Sequence, residues 1–449
     1  MRHVVVVGGG AAGIIAAWRA ASLGAKVTIL EKTPRLGTKI LVSGGGKCNI
    51  THAGPLEQVL RAFRPNEARF IRPSCYRFTN EQVVEMLTTR GLRVYTRDDG
   101  RIFPVDQTAK DVVAILWSYL DEVGVDVRLE SPVTGLIVEE GHVVGARYRR
   151  ASSVAKRTTD EGGYRAATAK NLLRELGSVS LAASDEEFEM RADAAVVCTG
   201  GSSYPNSGTT GDGFGWARAI GHTVHRIRAA LAPIYLALET PPEARAGVSL
   251  RDVVLKARQG KEFARWRGDL LFTHQGVSGP TVLGVSRLVE ERLADGEVTL
   301  EVDCVPDNTF EEITADLLEE TQKNPRRLVV SYVSDLVPER LAEEVLRTAG
   351  VPPDTPGARL DRKSRNRLVE TLKAWRLGPV RHVPLEKGEV VAGGICLDEV
   401  DPHTMASKVV PGLFLCGEVL DIAGPVGGYN LQSAFATGYV AGESAAKGS

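Results

Sequence analysis

His3-Val4-Val5-Val6-Val7-Gly8-Gly9-Gly10-Ala11-Ala12-Gly13, read on through residues 14–23 to Lys26-Val27-Thr28-Ile29-Leu30-Glu31, decides the fold. An apolar run without polar alternation is the pattern of a strand covered on both faces, as in a parallel sheet. A glycine turn follows, then an alanine-rich segment of high helix propensity that Gly24 can end, then a second buried strand. This is a βαβ unit. Its turn fits G-x-G-x-x-G: Gly8 makes the tight bend, Gly10 lets backbone approach a pyrophosphate, and Gly13 permits close helix–strand packing. Phosphate then meets the free N–H groups and dipole at the helix start, around Ala12. Glu31 lies 18 residues past Gly13 at a strand end. A carboxylate there accepts hydrogen bonds from an adenosine ribose and repels a 2′-phosphate. The expected ligand is therefore FAD or NAD and not NADP.

The far end of the chain selects between these two. Residues 413–416 read as another buried strand, ending in Gly417-Glu418. A glycine-rich stretch from Gly424 to Gly428 leads into a small-residue helix starting near Asn430, which suits an N-cap. A helix start at that place stabilises negative charge on the N1–C2 carbonyl side of a reduced flavin. Together with the N-terminal fingerprint this points to non-covalently held FAD. No second strand–G-x-G-x-x-G–helix unit and no CxxC motif is present, which argues against a disulfide reductase. NAD(P)H, if it is the hydride donor, is expected to dock transiently.

The 449 residues are 43% hydrophobic and 25% charged with a formal net charge of −1, the composition of a soluble globular protein of more than one domain. Near-neutral charge gives no general field for nucleic acid. Two basic segments, 245–267 and 362–381, are its only sequence support, and each also carries acids. Cys48, Cys75, Cys198, Cys304, Cys396 and Cys416 show neither disulfide-framework nor zinc spacing. With no membrane-length apolar run and no signal-peptide layout, a cytoplasmic protein is expected.

The fold class expected is α/β: a discontinuous Rossmann-like FAD-binding domain at 1–229 and 380–449, with an inserted β-barrel plus helical domain at 230–379. Helices are expected near 80–90 and 108–122, and a β-meander around 125–148. Strands are expected near 234–238, 270–272 and 297–302, and charged helices over 310–373. Residues 149–189 read as a long, partly disordered insertion with one helix near 169–176.

Beyond the fingerprint, the chain carries Ser43-Gly44-Gly45-Gly46-Lys47-Cys48-Asn49, Thr199-Gly200-Gly201 and Thr273-His274-Gln275-Gly276-Val277-Ser278-Gly279-Pro280. It also carries Gly393-Gly394-Ile395, Thr404-Met405-Ala406-Ser407-Lys408, Gly417-Glu418-Val419-Leu420-Asp421 and Gly427-Gly428-Tyr429-Asn430-Leu431-Gln432. In these motifs, across most of its length, the chain resembles the BaiN/RdsA-type NAD(P)/FAD-dependent oxidoreductases, a branch of the two-dinucleotide-binding flavoprotein superfamily. The resemblance implies a flavin domain interrupted by a barrel-and-helix insert. Its members include bile-acid enone reductases and an aminoacetone oxidase. His52 stands where the pattern has Asn, and Ala406 where it has an acid.

The expected cofactor contacts are Gly8, Gly10, Ala12, Gly13, Glu31, Lys32, Lys39, Ser43, Gly45, Gly46, Cys48, Asn49, Thr199, Gly200, Gly201, Gly417, Glu418, Gly428, Asn430 and Leu431. Lys47 either faces phosphate or is solvated, and Cys48 is either a redox thiol or a packed one. His274 is either an acid–base group or a sheet-corner residue, and Tyr429 touches flavin or substrate. The function expected is hydride transfer between NAD(P)H, flavin and a small unsaturated or carbonyl-conjugated substrate. The alternatives are an FAD-dependent oxidase of a small amine and a flavin-dependent RNA-modifying protein.

Overall fold

A computed structural model describes residues 1–151, 183–237 and 245–448. The chain forms two compact units, Met1–Ile227 with Glu389–Ser449, and Arg228–Gly388.

The first unit is built on β1 (His3–Val7), α1 (Ala11–Ser22) and β2 (Lys26–Leu30). α2 (Thr38–Val42), α3 (Leu56–Arg61), α4 (Pro65–Arg77) and α5 (Asn80–Thr88) follow. A small hairpin, β3 (Val94–Thr96) with β4 (Ile102–Pro104), precedes α6 (Ala109–Glu122) and β5 (Asp126–Arg128). β6 (Val133–Glu139), β7 (His142–Ala151) and β8 (Ala183–Arg191) form a three-stranded antiparallel sheet. β9 (Ala194–Val197) and α7 (Asp212–Ala219) complete this passage.

The second unit contains β10 (Arg228–Ala230), β11 (Ile234–Leu236), β12 (Ser249–Gln259), β13 (Lys261–Phe272), β14 (Gly276–Ser278), α8 (Pro280–Arg292) and β15 (Thr299–Asp303). Four helices follow, α9 (Phe310–Lys323), α10 (Val329–Leu336), α11 (Glu339–Ala349) and α12 (Arg362–Lys373), then β16 (Trp375–His382). Six strands close into a barrel in the order β11–β14–β13–β12–β15–β16. Phe272 and Trp375 fill its core with ring centroids 5.7 Å apart. The chain then returns to the first unit as β17 (Val390–Ala392), β18 (Leu413–Leu415) and α13 (Tyr429–Lys447).

The main sheet is parallel throughout, in the order β18–β9–β1–β2–β5. Its three central strands are buried almost residue for residue, which explains their unbroken apolar sequence. α13 lies against α1 at backbone distance. A side-chain carbon on Gly438 would fall 2.3 Å from the Ala12 carbonyl oxygen, and one on Gly442 would fall 2.1 Å from that of Ala16. Fingerprint helix and C-terminal helix therefore pack directly against each other.

The ends of the 149–189 stretch depart from the expected insertion. Residues 149–151 and 183–189 are strand, in register through pairs such as Arg147↔Glu189 and Arg149↔Glu187. One face pairs apolar residues, Tyr148 with Phe188 and Ala146 with Met190, and the other pairs charges, as in Arg147–Glu189 at 3.2 Å. The expected helix at 169–176 lies outside the described residues.

Candidate active site

The glycine turn sits at the C-terminal end of β1, between β2 and β9, where the strand order reverses and open α/β sheets bind ligands. Gly8 has φ +103°, and a side-chain carbon there would lie 2.7 Å from the Cys198 carbonyl oxygen. At Gly13 the same carbon would collide with the Gly8 carbonyl at 1.9 Å. Gly10 differs, because its added carbon would meet nothing within 4 Å. Gly10 is also the N-cap of α1 with no side-chain cap, and the first helical bond is Ile14 N–H to Gly10 O at 3.0 Å. The amides of Ala11, Ala12 and Gly13 precede that bond. This open cradle lined by helix-start amides fits a pyrophosphate.

Glu31, at the end of β2, closes the turn from the other side. Its carboxylate accepts Gly9 N–H at 2.6 Å and Thr33 N–H at 2.7 Å. Burial pushes its carboxyl above the usual range, opposed by the hydrogen bonds from Thr33 and Gly9. Each oxygen keeps a further lone pair for a ribose hydroxyl. Lys32 turns to Asp212 at the start of α7 (2.6 Å) and to Thr210.

Lys39 and Glu418 meet across 379 residues of sequence. Lys39 Nζ lies 2.6 Å from Glu418 Oε2 and 3.2 Å from Ser203 Oγ, while Glu418 Oε1 accepts Val391 N–H at 2.9 Å. Gly201 leaves the space Glu418 crosses, since a side-chain carbon there would sit 2.9 Å from Oε1. Gly200 turns with φ +73° and Gly417 with φ +74°. The Gly417 amide donates to Thr437 Oγ1 at 3.0 Å. Thr199 Oγ1 is buried without a partner among the described residues, an orphaned polar atom beside the cradle strand that a bound ligand can satisfy.

Residues 43–52 and the start of α13 are tied together. Ser43 Oγ donates to Ile40 O, and Gly44, Gly45 and Gly46 all have positive φ. A side-chain carbon on Gly45 would meet open space. Cys48 is fully buried, and burial pushes its thiol up to about 12. Its thiol is thus a packed one, sealed from any ligand. With its amide placed to satisfy both neighbours, Asn49 accepts Gly428 N–H at 2.9 Å and donates to Thr51 O at 3.3 Å. Thr51 Oγ1 donates to Gln432 Oε1 at 2.7 Å, and Gln432 Nε2 donates to Phe78 O at 3.0 Å.

Asn430 is not the N-cap. That place belongs to Gly428, whose φ is +89° and whose side-chain carbon would lie 2.6 Å from Thr51 backbone. Only glycine fits both demands. Asn430 instead grips the preceding loop, accepting Gly424 N–H at 2.8 Å and donating to Gly424 O at 2.9 Å. The amides of Tyr429, Asn430 and the half-buried Leu431 precede the first bond of α13, Gln432 N–H to Gly428 O at 3.1 Å.

Tyr429 stacks on His52 at the first position of α13. His274 belongs to the second unit, exposed in the tight turn between β13 and β14 that the bond from Thr273 N–H to Gly276 O closes at 2.8 Å. Lys47 is exposed. Ser203, Asp212 and Thr51 escaped sequence reasoning, and Gln432, though it closes the Gly427–Gln432 motif, was not taken as a site residue. A Ser407–His222–Glu399 chain (2.8 and 3.0 Å) resembles a nucleophilic triad. Its serine oxygen already accepts Val409 and Val410 N–H, and its imidazole is sealed from solvent. It is a structural lock.

An open pyrophosphate cradle, a ribose-side carboxylate and a second helix start define a Rossmann-type FAD-dependent oxidoreductase. The chain belongs to the family described as HI0933-like protein Rossmann domain, whose model matches residues 2–159 and 163–444. It is similar to the ribosomal RNA dihydrouridine synthase of Haemophilus influenzae, 29% identical over 436 residues, covering 97% of this chain and 96% of that protein. It is also similar to the 3-dehydro-bile acid delta(4,6)-reductase of Clostridium scindens, 28% identical over 451 residues with 100% of both covered. A solved 3-ketosteroid delta1-dehydrogenase from Sterolibacterium denitrificans shares the fold, with a TM-score of 0.53, 14% identity and 100% of both chains covered. No helix among the described residues is long and apolar enough to cross a membrane.

Proposed function

We propose that this protein reduces a carbon–carbon double bond conjugated to a carbonyl, with FAD as bound carrier and NAD(P)H as transient donor. The observation that carries the substrate class is what two full-length relatives have in common by name. Making dihydrouridine saturates the uracil C5–C6 bond beside the C4 carbonyl, and a delta-4 bond of a 3-dehydro steroid lies beside the 3-ketone. FAD, when bound, supplies the hydride chemistry. Gly10, the α1 amides and Glu31 would hold its adenosine diphosphate half, and Lys39, Glu418 and the α13 amides its flavin half. The α13 dipole favours negative charge at that end. Tyr429 would deliver a proton to the substrate carbon next to the carbonyl. Burial, with Asp99 nearby, pushes its phenol up from the ordinary value. His274 is the second acid–base candidate.

One parallel sheet of more than two strands occurs among the described residues, and its switch point is taken by the FAD cradle. That supports a shallow, weak nicotinamide dock. Anaerobic rapid mixing tests the reading. NADH or NADPH should bleach the flavin, and an enone should restore its colour. Bleaching by a small amine and by neither nicotinamide would favour the oxidase.

A second reading places the conjugated bond in a uridine of RNA. One observation favours it. In the segment 245–267 the arginines are neutralised, Arg251 by Asp269, Arg265 by Glu262, and Arg267 by Asp252 and Asp307. In the segment 362–381, Arg362, Lys363, Arg376 and Arg381 are exposed, and none has an ion pair among the described residues. Retention of ribosomal RNA that weakens steeply with salt, and is lost on reversing these four charges, would support this reading. Salt-independent or absent retention would remove it.

A further inference from the structure

We infer that His52 is a positioning residue for Tyr429, holding the phenol where it can give its proton to substrate. This rests on the proposed reduction and deepens it.

The imidazole lies face to face with the Tyr429 ring, centroids 4.6 Å apart at 21°. Its Nδ1 is 3.1 Å from the Gly427 carbonyl oxygen. A carbonyl only accepts, so Nδ1 carries the proton and the ring orientation is set. Gly100 closes the other edge, since a side-chain carbon there would lie 2.4 Å from Nε2. The His52 backbone is equally held, its carbonyl accepting from Asn80 Nδ2 at 2.9 Å and its bridge to Arg101 joining it to the β3–β4 hairpin. Tyr429 is confined on two further sides. Phe63 meets it edge-on at 6.0 Å, and Gly427 leaves room for its ring, where a side-chain carbon would come within 2.6 Å of Cε2.

The Tyr429 hydroxyl is left without a hydrogen-bond partner among the described residues. A phenol fixed on three sides of its ring, with its O–H uncommitted and at the first position of α13, is built to act on something not yet present. In the reduction the carbon beyond the α-carbon takes the hydride. The α-carbon takes the phenol proton, and water then reprotonates the phenolate. Asn at 52 would keep a hydrogen-bond donor for Gly427 and lose the stacked ring.

The test separates the two halves of the claim. In the apoprotein, the Cζ resonance of Tyr429, assigned by its loss in Tyr429→Phe, should titrate above free tyrosine in the wild type and move back towards it in His52→Ala. His52→Phe keeps a ring and should hold the wild-type titration, whereas His52→Asn should not. With holoenzyme reduced by NADPH and 2-cyclohexenone as the probe oxidant, His52→Ala should lower the reoxidation rate about 10–100-fold at unchanged FAD content. The double variant should be no slower than Tyr429→Phe alone. An unmoved resonance in His52→Ala, or fully additive losses, overturns the role of His52. Full reoxidation by Tyr429→Phe instead overturns Tyr429 as proton donor, and the resonance still judges the contact.

Discussion

Gly10 and Glu31 show how much a single residue decides at this site. Valine at Gly10 would fill the one direction around the turn that is open, so Gly10→Val should yield folded protein without FAD, read by absorbance after dialysis. Glu31→Ala removes a ribose acceptor and the partner of the Gly9 and Thr33 amides. A hydrogen bond to a charged group is worth roughly 1.5–3 kcal/mol, so FAD affinity should fall about 10–100-fold per bond lost. Cysteine reactivity is a separate check on burial. Cys48, Cys75 and Cys304 are each pushed up to about 12 by burial, and of the six thiols only Cys396 is partly exposed. Iodoacetamide on native protein should label Cys396 alone, as read by peptide mass spectrometry. Labelling of Cys48 would contradict the sealed loop. At this scale the glycines of the fingerprint were legible as a spaced motif between strand and helix, although only Gly13 answers to a local contact, Gly8 answers to the distant Cys198 carbonyl, and Gly10 leaves open space. The Lys39–Glu418 pair was not, because nothing in a chain announces which distant carboxylate a lysine will meet.

At the scale of elements, β1, α1 and β2 were legible from local period alone, and α5 and α6 began close to where Thr79 and Thr108 supply capping boxes. The long hairpin β12–β13 was largely missed. Its outward face is arginine, lysine and acid, and register shifts between Leu250 and Val253 and between Ala257 and Arg258 break the two-residue alternation. The contact of α1 with α13 makes two predictions. Gly442→Val puts branched bulk 2.1 Å from a carbonyl oxygen, and overpacking of this kind costs roughly 1–3 kcal/mol. The variant should lose thermal stability, with FAD loss following unfolding. Beside it, buried Glu443 is approached by Arg77 at 2.6 Å, Arg19 at 3.2 Å and Lys447. Burial pushes its carboxyl up, but Lys447 and the two arginines outweigh that and hold it below the usual range. A depressed folded value contributes stability that is present above the unfolded carboxyl value and lost as pH falls through the folded one. Glu443→Gln should therefore narrow the gap in melting temperature between neutral and acidic pH. An unchanged gap would remove the ion cluster as its cause.

For the molecule as a whole, two segments more than 350 residues apart build one cofactor cradle, with a barrel-and-helix unit between them in sequence. That discontinuity was readable because both segments carry glycine-punctuated strands, while the intervening stretch changes to charged helices. Which substrate the protein takes was not readable, since FAD carries the reactive atoms and the chain only orients them. The central claim is that the cradle holds FAD, and the contents of the purified protein test it most directly. Denatured protein, reconstituted beforehand with FAD if needed, should release FAD in a one-to-one ratio with chain, identified by chromatography and mass. Release of FMN, or no flavin after reconstitution, would contradict the account.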